Sequence, residues 1–379
     1  MLSDNELTAL TQPIIEIYNQ IEMALLEEVA KRFDVYDKVG GSLEWQLKKL
    51  DELGALTTES VKVIASMSKK GEKEIAKMLK DASLGNIDMD LLETAFTNGF
   101  IFVDPNKMML TDALKATIEL SNKQLGQTYK LIQTKALESA RQAYLDIINR
   151  AYIETASGIY DYNTSIRGAL RDMADQGIAG ATYRRGNKYV KYSIEGTVRR
   201  DTITAVNQLA NKGAEQITKE IGAKYVEVSA HIGARVSNTN PIANHAGWQG
   251  KVYKIEGSEK GYPNLKESTG YPDDIQGLGG VNCRHRMFPF FPGISVPNPH
   301  QIDEKENKKV YEATQKQRAM ERNIRAIKKR LIVAKASGDT AQAKEYRKKL
   351  TQKQAEIEQF CKKNGLRRQT EREMVQEEY

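Results

Sequence analysis

The stretch from Thr111 to about Tyr160 constrains the fold more than any other part of this 379-residue chain. It contains no proline, and its only glycines are Gly126 and Gly158. Apolar residues recur along it at intervals of three and four, which predicts one helix of unusual length or two helices in series. Helical propensity alone contributes little to the stability of such an element, so it needs packing partners. We therefore expect it to pack against neighbouring helices or other subunits.

The same periodicity extends over most of residues 1–215. An apolar stripe marks a first helix, formed by Ile14, Ile15, Tyr18, Ile21, Leu25 and Val29. After Gly40 and Gly41, a leucine-rich segment is predicted to stop at Gly54, and a further helix is predicted over Glu59–Leu79. Between Asn163 and Gln208, two helical segments flank the sequence ATYRRGNKYVKY, which is interpreted as a connection, with a short hairpin as the alternative.

The periodicity changes from about 3.6 to 2 at Lys224, where YVEVSA alternates apolar and polar side chains. This change predicts the first strand of a compact α+β or mostly β unit, and Pro297 and Pro299 mark its end. The fold class predicted for the whole chain is α+β. We expect three regions: a long-helical assembly region (1–215), a small His/Cys-bearing domain (216–299) and a helical hairpin tail (300–379).

The net charge of +7 resides in the tail. Residues 301–379 contain 21 Lys+Arg against 13 Asp+Glu, and the rest of the chain is balanced at 36 against 37. Two helices are predicted there, separated near Ser337, with Asp339 or Thr340 as N-cap. The simplest interpretation is a hairpin with solvated basic faces. The alternative is that the tail contacts packaged DNA or an acidic protein surface.

Composition and terminal sequence limit the location of the chain. With 40% hydrophobic and 28% charged residues the chain is expected to fold. No apolar window approaches the roughly 18 residues of a membrane span, and MLSDNELTAL lacks the features of a signal peptide. We therefore expect no membrane association and an origin in the cytoplasm. Cys283 and Cys361 lie in segments of different character, which predicts reduced thiols rather than a disulfide.

Four metal-ligating residue types fall in the predicted small domain: His231, His245, Cys283 and His285. Imidazole and thiolate are ligands that Zn²⁺ prefers, and four such groups would close a tetrahedral structural site. The spacing matches no standard zinc finger. The alternative is that these side chains are packed or hydrogen-bonded without a metal.

A catalytic alternative uses the same histidines. His245 and His285 could act as general acid and base of a metal-independent ribonuclease or other nuclease, with Arg284 or Arg235 stabilising phosphate charge. The chain has no H-E-x-x-H, P-loop, G-x-S-x-G or G-x-G-x-x-G motif. A structural role is therefore the preferred interpretation.

The remaining unusual residues have structural interpretations. Trp248 is expected in the core and Gly250 in a turn before a strand. Tight or left-handed backbone is expected at Gly270, Gly277, Gly279 and Gly280, within a long ordered loop. The PFFPG segment is expected to bury two phenylalanines, and an exposed aromatic patch for a partner is the alternative.

Three segments together resemble the signature of the phage minor capsid protein 2 family of tailed bacteriophages: S-x-H-x-G-A-R at Ser229–Arg235, H-A-x-W-Q-G-K at His245–Lys251, and G-x-N-C-R-H followed by P-F-x-P-G within Gly280–Gly293. Their order and separation also fit, and the close likeness covers residues 224–295. The signature residues are His231, Gly233, Arg235, His245, Trp248, Gln249, Gly250, Asn282, Cys283, Arg284, His285, Pro289 and Gly293.

The resemblance implies a minor structural protein of a tailed-phage head, made by a phage or prophage and acting in head morphogenesis. It implies assembly in the host cytoplasm and a final place in the virion, in the head interior or at the portal vertex. The implied partners are portal, scaffold or major capsid protein, with packaged DNA as a possible contact of the tail. A toxin-like nuclease domain in residues 224–295 is the alternative.

Overall fold

The computed structural model describes residues 4–36, 43–84, 89–102, 104, 112–185, 187–297 and 302–375. Within these residues the helices are α1 (Asp4–Ala30), α2 (Leu43–Leu84), α3 (Met89–Thr97), α4 (Asp112–Ala156), α5 (Tyr162–Gln176), α6 (Ile194–Glu220), α7 (His245–Trp248), α8 (Leu265–Thr269), α9 (Glu304–Ala336) and α10 (Thr340–Asn364). The strands are β1 (Ala179–Arg185), β2 (Lys188–Ser193), β3 (Tyr225–Val228), β4 (Val252–Lys254) and β5 (Met287–Phe290). Among the described helices, none combines the length and hydropathy needed to cross a membrane.

The predicted α+β class is confirmed, with long helices before the sheet and a helical C-terminal hairpin after it. Helix α4 spans 45 residues and confirms the long helix predicted from Thr111. The stop predicted at Gly54 is wrong, because α2 continues through it for 42 residues. A helical glycine costs only about 1 kcal/mol, and the buried Leu56 and Ile64 of the same helix offset that cost by packing.

The segment ATYRRGNKYVKY, interpreted mainly as a connection, is a β-hairpin, which was the alternative. Strands β1 and β2 pair antiparallel, with Tyr183 opposite Val190 and a register irregularity between Ala179 and Ala181. The signal in the sequence is the Gly186-Asn187 pair, which separates two short runs containing Thr, Tyr and Val, as is typical of a two-residue hairpin turn.

The chain divides into two compact units. Unit 1 comprises Met1–Gln12, Glu74–Gly126 and Arg200–Gln315, and unit 2 comprises Pro13–Lys73, Gln127–Arg199 and Lys316–Tyr379. Each unit combines parts of the chain that the three regions predicted from sequence keep separate. The three-region division stays a prediction.

A three-stranded antiparallel sheet with the order β4-β3-β5 forms the centre of unit 1. The strand predicted at the change of periodicity is the central one, and it places Val226 opposite Tyr253 of β4 and Pro289 of β5. Its inward residues Val226 and Val228 are fully buried. Helix α6 contributes Ile217 and Ile221 to a second hydrophobic cluster, in which they pack with Phe291. Phe290 and Phe291 are both buried, so the exposed aromatic patch considered for PFFPG is wrong for these two residues.

Aromatic pairs hold the helices of unit 2 together. Tyr18 of α1 packs on Tyr129 of α4 with ring centroids 4.9 Å apart, and Phe33 packs on Tyr144 of α4 at 4.9 Å. The first helix therefore buries the stripe that its periodicity predicts. In the C-terminal hairpin, Asp339 is the N-cap of α10 and accepts a hydrogen bond from the backbone N–H of Gln342, as predicted.

A buried carboxylate connects several elements of unit 2. Glu22 of α1 has no solvent exposure. Its Oε1 accepts from the backbone N–H of Ile178 at 3.2 Å, and its Oε2 accepts from that of Glu195 at 3.1 Å, in the first turn of α6. The ammonium group of Lys329 on α9 binds the same carboxylate. One side chain thus links α1, the residue before β1, α6 and the C-terminal hairpin.

The basic tail is less solvated than the sequence suggested. Arg325 on α9 lies 3.2 Å from Glu195, and Arg330 donates to Asp175 at 2.7 Å. Burial alone would raise the pKa of Glu195, but the charges of Arg325 and Arg199 hold it below its ordinary value. Part of the positive surplus is therefore used inside unit 2. Contact of the remaining basic residues with DNA stays a prediction.

Candidate functional site

The three signature segments meet beside the sheet of unit 1. His231 follows β3, and His245 is the first residue of α7. Cys283 and His285 lie directly before β5, whose pairing with β3 fixes where they sit. His245, Cys283 and His285 are each at most 2% exposed. The sheet and one short helical turn therefore bring distant histidines and a cysteine into one buried cluster.

Two asparagines of α6 hold the segment that carries Cys283 and His285. Asn207 Nδ2 donates to the carbonyls of Cys283 at 3.1 Å and His285 at 3.2 Å. Asn211 Nδ2 also donates to the carbonyl of His285, at 3.2 Å, and its Oδ1 accepts from the backbone N–H of Met287 at 2.9 Å. Both asparagines are fully buried. They supply the backbone partners that this segment lacks before it joins the sheet.

We expect Asn211→Ala to lower the free energy of unfolding by about 2 kcal/mol, because it leaves a buried backbone N–H without an acceptor. Gln208→Ala is the matched control, since Gln208 is an exposed amide on the same helix. Urea denaturation followed by circular dichroism measures both. Equal stability of the two variants would show that the hydrogen bonds of Asn211 contribute nothing to the free energy of unfolding.

The cluster has the spacing of a ligand set. Cys283 Sγ and His285 Nδ1 are 3.7 Å apart. One ligand atom from each of His245, Cys283 and His285 lies within 4.8 Å of the other two. Tetrahedral zinc, with bonds of about 2.0 to 2.3 Å, separates its nitrogen and sulfur ligands by about 3.5 Å. The closest pair already has this separation.

Hydrogen bonds orient both buried imidazoles. His245 Nε2 lies 2.7 Å from the carbonyl oxygen of Gln276, which can only accept, so Nε2 carries the proton. His285 Nε2 lies 3.1 Å from Gln249 Oε1, which also accepts from the backbone N–H of His231 at 3.0 Å. The proton on each Nε2 leaves each Nδ1 with a lone pair. Histidines that bind metals are commonly oriented in this way.

Burial keeps both histidines neutral. Burial lowers the pKa of His245 to about 4, against the opposing effect of its bond to the Gln276 carbonyl. Burial also lowers the pKa of His285 well below its ordinary value, and the neighbouring histidines add to the effect. At neutral pH both rings are therefore unprotonated at one nitrogen, which is the form that can bind a metal ion.

His231 lies at the edge of the cluster. Its ring stacks on that of His285 with centroids 4.4 Å apart and planes 25° apart. Its Nδ1 lies 3.2 Å from the carbonyl oxygen of Ile232. Among the described residues, the group of converging ligand atoms contains His245, Cys283 and His285 and does not include His231. The structure thus brings three of the four predicted ligands together, and their metal role stays a prediction.

Of the two arginines considered for a catalytic site, Arg235 lies beside the cluster, because it contacts the same Gln276 carbonyl oxygen as His245. Arg235 Nη2 donates to the carbonyl of Val281 at 2.9 Å, and Nη1 donates to that of Gln276 at 3.3 Å. Arg235 is thus bound to the loop backbone. Arg284 is partly exposed. A general acid or base must reach the proton it transfers, and the burial of His245 and His285 favours a structural role for both rings.

The other signature residues lie in turns, in the core or in strand β5. The backbone N–H groups of Gly233 and Ala234 both donate to Asn307 Oδ1 on α9, at 2.8 and 2.9 Å. Trp248 is buried in the core and donates to the carbonyl of Ile242 at 2.9 Å, as its interpretation as a core aromatic requires. Gly250 forms the turn before β4 through a bond to Val228. Asn282 has a φ of 58°, and Pro289 lies in β5, with Gly293 after it.

Two glycines of the loop are required by close backbone approach. A Cβ at Gly277 would lie 2.2 Å from the carbonyl oxygen of Thr269, and one at Gly280 would lie 2.4 Å from that of Ile275. Both approaches are shorter than any real Cβ contact. The tight backbone predicted for the glycine-rich loop is therefore confirmed at these positions.

Sequence reasoning missed Asn207, Asn211 and Asn307. The signal available was the pair of asparagines four residues apart in VNQLAN, where Val206, Leu209 and Ala210 form an apolar face. Polar residues on the buried face of a helix imply a partner that must satisfy them. Asn307 carries no such signal, because it lies in a charged sequence.

The chain has relatives among phage proteins. A family model described as phage minor capsid protein 2 matches residues 2–362. The chain is 26% identical, over 352 residues, to a protein of Lactococcus phage LL-H named "Structural protein", covering 87% of this chain and 88% of that protein. It is 30% identical over 100 residues to a "Structural protein" of Lactococcus phage mv4, covering 26% of this chain and 81% of that protein. No solved structure matches the chain.

Proposed function

The chain belongs to the phage minor capsid protein 2 family, and from this premise we propose that it acts in assembly of a tailed-phage head, at the portal vertex or in the head interior. The match carries the proposal because it spans residues 2–362, which include all three signature segments. The relatives in Lactococcus phages LL-H and mv4 are named structural proteins. A structural role in the virion follows from these matches, and the location is our proposal.

The portal is the partner that best fits a minor component. A head shell offers many equivalent positions, whereas a minor protein is present in few copies. A binding site that occurs once per head keeps the copy number low even when the cell makes an excess of the protein. We therefore propose the portal as direct partner, with scaffold and major capsid protein as other outcomes of the test. Assembly would take place in the host cytoplasm.

The buried cluster supports a structural rather than a catalytic role for residues 224–295. His245 and His285 are buried against Trp248, with ring centroids 4.5 and 4.8 Å from it. A polynucleotide would need access to both rings at once. Packing of this kind stabilises the domain and excludes substrate.

The test is the protein content of purified particles from the encoding phage or induced prophage. We expect a copy number far below that of the major capsid protein, and chemical cross-links to the portal. Absence from the particles, or a copy number like that of the shell protein, would contradict the proposal. Purified protein should also leave RNA and DNA intact. Cleavage that disappears in a folded His245→Ala variant would replace the structural role with a nuclease.

A further inference from the structure

Packing alone does not account for the arrangement of His245, Cys283 and His285. Each residue is buried and each presents an atom that can bind a metal, within 4.8 Å of the other two. We propose that these three residues bind one Zn²⁺ ion, through His245 Nδ1, Cys283 Sγ and His285 Nδ1. This site does not depend on where in the particle the chain is located.

The orientation of the two imidazoles supports this ligand set. The carbonyl oxygen of Gln276 and the amide oxygen of Gln249 accept from the Nε2 atoms at 2.7 and 3.1 Å. Hydrogen bonds of this kind fix a metal-binding histidine and increase the basicity of its other nitrogen. Asn207 of α6 fixes the backbone of Cys283, the thiolate ligand, since its Nδ2 donates to the Cys283 carbonyl. The positions of the ligands are therefore set by residues that do not bind the metal.

The donor set selects the metal. Two imidazoles and one thiolate suit Zn²⁺, whereas Mg²⁺ and Ca²⁺ prefer carboxylate and carbonyl oxygen. Binding converts the Cys283 thiol to a thiolate, forms the sulfur–zinc bond and releases the proton to solvent. No electron is transferred. Three protein ligands leave one position of a tetrahedral zinc ion for a water molecule.

Elemental analysis of the full-length protein, purified without chelator, tests the proposal. We expect about one equivalent of zinc per chain. Cys283→Ser should lose it. Cys361→Ser is the matched control, because Cys361 is the other free buried cysteine and belongs to unit 2, and it should retain the zinc. His231→Ala should also retain it, and loss of zinc in this variant would overturn the three-ligand assignment.

A second measurement does not depend on the folding of any variant. Cobalt added to the metal-free wild-type protein should give a thiolate-to-cobalt charge-transfer band and the strong visible bands of tetrahedral coordination. The visible bands should saturate at one equivalent and disappear when zinc is added. Wild-type protein that contains no zinc and shows no cobalt spectrum would overturn the proposal and leave the cluster as packed, hydrogen-bonded side chains.

Discussion

Replacing Glu22 with alanine is expected to lower the free energy of unfolding by about 3 to 5 kcal/mol, because it leaves a buried cation without its partner. Lys329 is 9% exposed at its side chain and binds a carboxylate with no exposure. The backbone N–H groups of Ile178 and Glu195 lose their acceptor in the same variant. Thermal and urea denaturation followed by circular dichroism measures the loss.

Two controls distinguish this network from a general effect of removing a glutamate. Glu27→Ala removes an exposed carboxylate from the same helix and should be almost neutral. Adding Lys329→Met to Glu22→Ala should recover part of the lost stability, since the orphaned charge is then removed as well. A Glu22→Ala protein as stable as Glu27→Ala would show that the buried carboxylate is not the connection that the structure indicates.

The sequence predicts the helices and the central strand well, because the period of apolar residues depends on local geometry alone. The 45-residue α4 and the strand at Tyr225 are both of this kind. The failures also have a physical cause. A glycine such as Gly54 weakens a helix locally, but buried neighbours on the same helix decide whether it continues. Local propensity cannot include that contribution.

The candidate site divides in the same way. The histidines and the cysteine could be singled out from the sequence because they are rare residue types concentrated in the signature segments, without any rule on their spacing. Their partners could not be predicted, since Asn207 contacts residues 76 and 78 positions away. Glu22 is a stronger example, because its partners lie 156, 173 and 307 positions away. Contacts of this range arise only from the tertiary fold.

Deleting residues 316–379 is expected to unfold unit 2 rather than to remove a separate tail. The deletion takes away Lys329 and Arg325, the charge partners of the buried Glu22 and Glu195. Desolvated carboxylates without partners are strongly destabilising. Limited trypsin digestion should then cleave within residues 127–199, which in the intact protein should resist the protease.

The deletion is therefore a poor test of DNA binding, and a variant that spares the ion pairs is required. Lys344 and Lys348 are exposed on α10, so Lys344→Gln with Lys348→Gln should leave unit 2 resistant to trypsin. If the tail contacts DNA, this variant should bind more weakly and with a shallower dependence on salt, because it neutralises fewer phosphates and so releases fewer counterions on binding. A deletion variant that keeps a protease-resistant unit 2 and loses only DNA binding would contradict the structure, since it would make the basic hairpin an independent module instead of part of the fold.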